Sequence, residues 1–262
     1  MSLPRFFLET QVIAQETEAS FPLELAADDA KHFRVLRLGP GEHIAVVDGA
    51  SDYFECRIEG FEGNVPVVSV ARHVDAPKQR VRVTLCQGLA KGDKMDTVIR
   101  HATELGVSSF MPFSSKRSIV KLDEKKARTR TERWRSIAKS AAMQSGQMSI
   151  PAVEKPASFV ELCRSLVDFD AVCICWEEAP QTAALADAIA PVLSASEDGE
   201  PARIAIVVGP EGGIDSSEVD ALLACNSNAR LVSLGASILR TETAGIVAPA
   251  LALYELGQLG RR

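Results

Sequence analysis

The chain has 262 residues, of which 46% are hydrophobic and 24% are charged, and its formal net charge is −6. This composition is ordinary for a soluble globular protein, and it excludes a disordered, collagen-like or coiled-coil chain. The negative net charge excludes a surface that is basic throughout, as in a general nucleic-acid coat, but it is compatible with a local basic face.

The first 75 residues predict a small β-domain. Short apolar runs alternate there with turn segments rich in Gly, Asp and Asn. Strands are predicted at 43–47, 53–59 and 65–71. Strands at this spacing are typical of a small β-barrel or sandwich, and the segment 26–38 predicts one helix. The charged, proline-containing segment 73–80 predicts a domain boundary, so that this domain covers 1–74.

The remainder of the chain, 78–262, alternates strands and helices. Strands are predicted at 81–89, 107–115, 170–176, 203–209 and 230–235. Helices are predicted at 93–106, 131–146, 182–195, 215–225 and 241–257. This alternation predicts an α/β domain with a mostly parallel sheet. Pro249 predicts a kink or a break in the last helix, because an interior proline costs about 3 kcal/mol.

The spacing of the cysteines indicates whether the protein binds a metal, and the lengths of the apolar runs indicate whether it spans a membrane. The six cysteines form no CxxC pair and no zinc-site spacing, so we expect reduced thiols and no metal. The first residues lack the pattern of a signal peptide, and no apolar run approaches the roughly 18–20 residues of a spanning helix. We therefore expect a soluble, cytoplasmic protein that does not associate with a membrane.

The segment 206–218 is the strongest local signal of a site. It predicts a strand, a turn with three glycines and one proline at 209–213, and the start of a helix. Such a turn lets the backbone approach a ligand, and the helix start offers unpaired N–H groups. The spacing differs from GxGxxG, and Glu211 would repel a phosphate. The pattern alone favours a ligand site and a plain strand–helix connection about equally.

A second strand–turn–helix unit lies at 231–246. Its turn ends in Arg240, Thr241, Glu242 and Thr243. A threonine N-cap and a surface Arg–Glu pair would explain these residues without any ligand. Because both units follow strands of one predicted sheet, we expect both turns at its carboxyl edge, where open α/β sheets bind ligands.

The segment 116–139 is unusually basic. It holds ten basic residues against three acidic ones, a local excess of seven in a chain of net charge −6. A solvated helix face would also carry many charges, but the one-sided sign favours contact with RNA.

Several motifs together resemble the ribosomal RNA small-subunit methyltransferase E family, which belongs to the knotted SPOUT class. GPEGG at 209–213 and SLGASILRTETA at 233–244 carry the resemblance first. It extends over nearly the whole chain through KHFRVLRLGPGEH (31–43), GLAKGDKMDTVIRHATELGV (88–107), SKRSIVK (115–121) and ERWRSIAKSAAMQSG (132–146). The chain departs from the family pattern at Ala236 and Ser237, where many relatives have proline and arginine, and at Gln147 and Pro249.

The resemblance implies a fold and an activity. It implies that 1–74 form a PUA-like β-barrel that contacts RNA, and that 78–262 form a SPOUT domain with a deep trefoil knot. It further implies a homodimer, assisted by the apolar face of the last helix, and S-adenosylmethionine as the cofactor. The implied reaction is methylation of N3 of one uridine in 16S ribosomal RNA of the small subunit.

The resemblance also implies roles for individual residues. The cofactor pocket would be formed by Gly209, Pro210, Glu211, Gly212, Gly213, Leu234, Gly235, Ile238, Leu239 and Thr243. Arg240 would stabilise the anion that develops on the target base, and Glu242 would be a general base if burial raises its pKa. The expected RNA contacts are the basic residues Arg5, Arg34, Arg37, Lys91, Lys94, Lys116, Arg117 and Lys121.

Two other functions are compatible with the same residues. One is an RNA-binding ribosome assembly factor without catalysis, built on the same scaffold. The other is an α/β enzyme that binds a nucleotide or phosphate at the 209–213 turn, which Glu211 and the missing P-loop lysine pattern disfavour. Binding of S-adenosylmethionine separates the methyltransferase from the assembly factor.

Overall fold

The computed structural model describes residues 3–74, 80–179, 181–195 and 200–260, and the chain divides into two compact units. The first unit comprises Met1–Lys78 together with Ala142–Ser149, and the second comprises Gln79–Ala141 and Ile150–Arg262. Most of the predicted boundary segment, at 75–79, lies outside the described residues.

The first unit is built on a five-stranded sheet. Its elements are β1 (Arg5–Phe7), β2 (Phe21–Pro22), α1 (Ala27–Val35), β3 (His43–Val47), β4 (Tyr53–Glu62) and β5 (Val65–Val74). The strand order is β1-β3-β4-β5-β2; β1 is parallel to β3, and the other pairs are antiparallel. The three predicted strands and the helix are present. The strands β1 and β2 are too short to show an alternating pattern, and the sequence analysis did not predict them.

The second unit is an α/β domain, as predicted. Its elements are β6 (Val81–Gly88), α2 (Lys94–Leu105), β7 (Ser109–Ser114), α3 (Glu124–Ser145), β8 (Ala152–Val153), β9 (Ala157–Ser158), α4 (Phe159–Leu166), β10 (Ala171–Cys175), α5 (Leu185–Ala195), β11 (Ala202–Val208), α6 (Ser216–Cys225), β12 (Ala229–Val232) and α7 (Thr241–Glu255). The order is β12-β10-β11-β6-β7-β8, with β9 beside β7, and every pair is parallel.

The central strands of this sheet are apolar on both faces. In β11, Ile204 and Ile206 pack into one apolar cluster, whereas Ala205 and Val207 pack into another. This alternation places one core on each face, as expected for a parallel sheet covered by helices. Helix α2 packs Val98 and its other apolar residues into the first cluster and ends at a left-handed glycine, as predicted.

Three helices differ from the sequence prediction. Helix α3 begins at Glu124 rather than at 131, because Asp123 accepts the Lys126 N–H at 2.8 Å before a charged stretch without apolar periodicity. Helix α4 was not predicted. Helix α7 is continuous through the buried Pro249, which excludes a break and leaves the kink as a prediction. Ala248, Ala252 and Leu253 pack in the core on either side of the proline. None of the described helices is long and apolar enough to span a bilayer.

Candidate active site

A cavity of about 500 Å³ opens at the carboxyl ends of β10, β11 and β12. Its walls are the three loops that follow these strands, at 176–182, 209–213 and 233–240. The volume lies within the range of roughly 300–1,000 Å³ that small-molecule sites occupy. The two predicted turns therefore meet at one edge of the sheet, as the sequence analysis expected.

The 209–213 turn is tightly packed. The Gly213 N–H donates to the Pro210 carbonyl at 2.8 Å, and Gly213 adopts a left-handed φ of +70°. A Cβ at Gly209 would approach Ile214 Cγ1 to 2.9 Å, and a Cβ at Gly88 would collide with the backbone nitrogen of Pro210. The glycines therefore let the turn lie directly against the end of β6.

The second turn is more open. Gly235 has a φ of +116°, and its N–H donates to the Ser233 hydroxyl at 3.1 Å. The side chain of Ile238 lines the cavity although it is 81% exposed, and the departures Ala236 and Ser237 also line it as exposed residues. This loop thus presents an apolar side chain at the opening of the cavity.

The third wall was missed by the sequence analysis. It contains Cys175, Trp176, Glu177 and Thr182, and the Trp176 indole N–H donates to the Ile214 carbonyl at 3.1 Å. No glycine or helix-start pattern marks this segment. Its contribution follows from the strand order, because β10 lies between β11 and β12.

Lys94 joins the two predicted turns. Its Nζ lies 3.1 Å from Glu211 Oε1 and 3.1 Å from Glu242 Oε2. The same Glu211 oxygen accepts the backbone N–H of Lys91 at 3.0 Å. The sequence predicts a contact of Lys94 with RNA, and the structure places this residue in the cavity wall between two carboxylates.

The charges in this cluster set its protonation. Hydrogen bonds to Glu211 and Glu242 raise the pKa of Lys94 above its ordinary value. Burial acts to raise the pKa of Glu242, but backbone N–H groups and the Lys94 ammonium outweigh it, so that this pKa lies below the ordinary 4.5. The condition under which Glu242 would be a general base, a pKa raised overall by burial, is therefore not met, and Glu242 is an ionised carboxylate at neutral pH.

Two of the other expected cofactor contacts, Gly212 and Thr243, do not line the cavity. A Cβ at Gly212 would approach the Arg117 carbonyl oxygen to 3.0 Å, so this glycine permits close packing against the 115–121 segment. Thr243 is exposed in the first turn of α7. Arg240, Leu234 and Leu239 do line the cavity.

The expected RNA contacts fall into two groups. Arg34, Arg37, Lys91 and Lys121 are exposed. Lys116 and Arg117 instead pair with acidic residues: Lys116 Nζ lies 3.6 Å from Asp215 Oδ1, and Arg117 lies 3.2 Å from Glu178 Oε1.

Arg5 is also committed within its own unit. Its guanidinium donates to the carbonyls of Gly146 and Gln147 and lies over the Tyr53 ring, 4.9 Å from the centroid. This geometry holds the segment that follows α3, and a contact of Arg5 with RNA stays a prediction. Part of the basic charge of α3 is likewise paired, for example Arg133 with Asp96 at 2.6 Å.

The fold and the site together define a class of protein. A parallel α/β sheet with a cavity at its carboxyl edge is the usual frame of an enzyme that binds a small organic molecule. The residues 77–253 match the family model described as an RNA methyltransferase domain, and 25–62 match the model described as an RNA methyltransferase PUA domain.

Relatives of known name extend over nearly the whole chain. The ribosomal RNA small subunit methyltransferase E of Bacillus subtilis is 32% identical, with 97% of each chain covered. The protein of the same name from Mycobacterium tuberculosis is 33% identical, over 82% of this chain and 79% of its own. The chain belongs to the ribosomal RNA small subunit methyltransferase E family.

A solved structure shares the complete architecture. The Neisseria gonorrhoeae protein of this name, crystallised with S-adenosyl methionine, superposes with a TM-score of 0.76 at 26% identity. The match covers 96% of this chain and 97% of the other.

Proposed function

We propose that this protein transfers a methyl group from S-adenosylmethionine to N3 of one uridine in 16S ribosomal RNA. The observation that carries the proposal is the cavity whose walls are the GPEGG turn and the loop leading into RTETA. Family membership supports the reaction class, and the relative bound to S-adenosyl methionine supports the cofactor. The choice of uridine N3 rests on the family resemblance.

The residues of the cavity fit this cofactor. The volume of about 500 Å³ is sufficient for a nucleoside that carries an amino-acid tail. Leu234, Ile238 and Leu239 offer apolar surface to an aromatic ring, and the backbone of the turns offers both donors and acceptors to the edge of adenine. The carboxylate of Glu177, on the third wall, would attract a cationic ligand.

When bound, the cofactor would supply an electrophilic methyl group on a sulfonium, and the neutral thioether would be the leaving group. The chain must hold the target base in line with that methyl group and favour its deprotonated ring nitrogen, whose proton passes to solvent. Arg240 lines the cavity as an exposed residue, and its positive charge also helps to lower the pKa of Glu242. It is therefore placed to stabilise negative charge on the oxygens of the base. Glu242 is already ionised against Lys94, and we assign it to holding that lysine.

Replacement of Arg240 tests this assignment. We expect Arg240→Ala to lower kcat by about 10- to 100-fold, because the anion loses its cation, while the Kd for the cofactor changes little. Arg240→Lys should recover part of kcat. Methyl transfer to small subunits, measured for both variants, gives the change in turnover. An Arg240→Ala variant with the turnover of the wild type would contradict the role of Arg240.

Cofactor binding is the first test of the whole proposal. We expect calorimetric titration to show binding of S-adenosylmethionine, and Gly213→Ala to weaken it by about tenfold or more. The added Cβ would lie 2.8 Å from Glu177 Oε1 in a backbone with φ of +70°. Gly41→Ala is the matched control, because Gly41 has a φ of +90° but no atom within 4 Å of its Cβ. A folded wild type that does not bind at millimolar cofactor would favour the assembly factor.

The target is tested on ribosomal particles. Small subunits from cells that lack the protein should gain 3-methyluridine in their 16S RNA when the protein and the cofactor are added. Methylation of another nucleotide would contradict the choice of uridine N3. Parallel reactions on free RNA and on assembled subunits identify the form that the enzyme uses.

We also propose a cytoplasmic homodimer with a knotted second unit, on the strength of the family resemblance. The exposed apolar residues of α7 support the dimer: Tyr254 is 63% and Leu251 is 41% exposed. Light scattering measures the mass directly, and a monomer at micromolar concentration would contradict the dimer.

A further inference from the structure

A chain of hydrogen bonds runs from the core to the wall of the cavity, which Thr241 and Gly209 line and Gln87 does not. Gln87, at the end of β6, is 1% exposed, and Thr241, the first residue of α7, is 7% exposed. Gln87 Nε2 lies 2.9 Å from Thr241 Oγ1, which lies 2.5 Å from the Gly209 carbonyl oxygen. The three residues come from three separate segments, two of which continue into walls of the cavity.

The direction of the chain follows from its donors. An amide nitrogen only donates, so the Thr241 hydroxyl accepts from Gln87 and gives its single proton to Gly209. The carbonyl of Gly209, the first residue in the GPEGG turn, therefore accepts a hydrogen bond from the Thr241 hydroxyl. The same bond ties this turn to the helix that carries Arg240 and Glu242 at its start.

The arrangement leaves Gln87 incompletely paired. Its Oε1 is buried and has no hydrogen-bond partner among the described residues. Gly245 of α7 faces this oxygen, and a Cβ there would collide with it. A buried acceptor without a partner destabilises a fold, whereas an apolar side chain of similar length carries no such penalty. A glutamine at this position therefore needs an explanation other than packing.

We infer that Gln87 is a positioning residue for the cofactor pocket, acting through the Thr241 hydroxyl on the Gly209 carbonyl. The inference rests on the proposed function, because it takes the cavity to be the cofactor site. When Gln87 orients the Thr241 hydroxyl, the 209–213 turn and the start of α7 are held in the arrangement that binds the ligand before the ligand arrives. A pocket organised in advance binds more tightly because less ordering is required on binding.

The substitution Gln87→Met tests the inference, because it keeps the length of the side chain and removes both polar atoms. We expect an unchanged or higher Tm, together with a Kd for S-adenosylmethionine that rises about three- to tenfold, the usual effect of one hydrogen bond. The KM for the cofactor should rise in parallel, while kcat at saturating cofactor stays near that of the wild type. A residue that served packing alone would not weaken binding while preserving Tm.

Variants of Thr241 complete the experiment. Thr241→Ser keeps the hydroxyl and should bind nearly as the wild type does, whereas Thr241→Val should lose affinity. The double variant Gln87→Met/Thr241→Val should bind the cofactor no more weakly than Thr241→Val alone, because either change breaks the same chain of hydrogen bonds. Thr84→Val is the matched control: Thr84 is a buried residue of β6 whose hydroxyl bonds Ser109 at 2.6 Å, and it does not line the cavity.

The outcomes are distinct. A Gln87→Met variant with the cofactor affinity of the wild type would overturn the inference and leave the proposed function intact. A variant that loses Tm and kcat together would also overturn it, by showing a structural role. Absence of cofactor binding by the wild type would overturn the proposed function and the inference with it.

Discussion

Replacement of Gly88 by alanine is expected to reduce the affinity for S-adenosylmethionine by about 100-fold or more. The added Cβ would collide with the backbone nitrogen and ring of Pro210 and would approach the Gly209 carbonyl carbon to 2.8 Å. These are main-chain or ring atoms, so rotation of a side chain cannot relieve the overlap. The GPEGG turn must shift away from β6, and displacements of about 1 Å at a site can change rates by about 100-fold.

The measurement is a calorimetric titration with the cofactor, supported by circular dichroism to confirm folding. Gly60→Ala is the control, because a Cβ at Gly60, in β4, has no neighbouring atom within 4 Å. This control should bind as the wild type does. Binding by Gly88→Ala within threefold of the wild type would show that the turn tolerates displacement, against the rigid packing that the structure indicates.

Replacement of Lys94 by methionine is expected to lower turnover and cofactor affinity by about tenfold or more at neutral pH. The change leaves Glu211 and Glu242 ionised with no ammonium between them. Glu211 lies on the 209–213 turn, which lines the cavity, and Glu242 lies in the first turn of α7, outside the cavity lining. Their mutual repulsion then pushes the two turns apart. Lys91→Met is the matched control for cofactor affinity, because only the backbone N–H of Lys91 binds Glu211 and its side chain is exposed.

The pH dependence of this variant has a definite sign. In the wild type, the lowered pKa values of Glu211 and Glu242 give stability that is present above the ordinary 4.5 and lost as the pH falls through the lowered values. The raised pKa of Lys94 gives stability that is present below the ordinary 10.5 and lost as the pH rises through the raised value. The cluster is therefore intact throughout the neutral range.

Without Lys94, the pKa values of both carboxyls should rise. Cofactor affinity of Lys94→Met should then recover in part as the pH falls below neutral, because one carboxyl takes up a proton at a higher pH than in the wild type. The wild type should stay flat over the same interval. A flat profile for the variant at reduced affinity would assign Lys94 a steric role instead.

The parts of the site that the sequence predicted are those with local signals. Glycines mark the 209–213 turn, and Asp215 with Glu218 predicts the capping box that the structure shows at the start of α6. The start of helix α4 has the same kind of local signal, because Ser158 and Glu161 form a capping box. This pair of residues is sufficient to predict the start of the helix.

The parts that were missed depend on neighbours far away in the chain. The wall at 176–182 follows from the position of β10 between β11 and β12. The low pKa of Glu242 follows from backbone N–H groups and from an ammonium on α2. The role of Gln87 follows from its pairing register with Val208. Such proximities arise from strand order, which a local pattern of residues does not specify.

The bond between Thr241 and Gly209 has a consequence for biosynthesis. The 209–213 wall and the 233–240 wall of the cavity are joined only when the start of α7 reaches the turn after β11. Helix α7 is the last helix of the described chain. Chains grow from the amino end at about 5–20 residues per second, so the first unit and most of the sheet are synthesised seconds earlier. A nascent chain that has not yet reached α7 therefore has no complete pocket, and competence to bind the cofactor requires that helix.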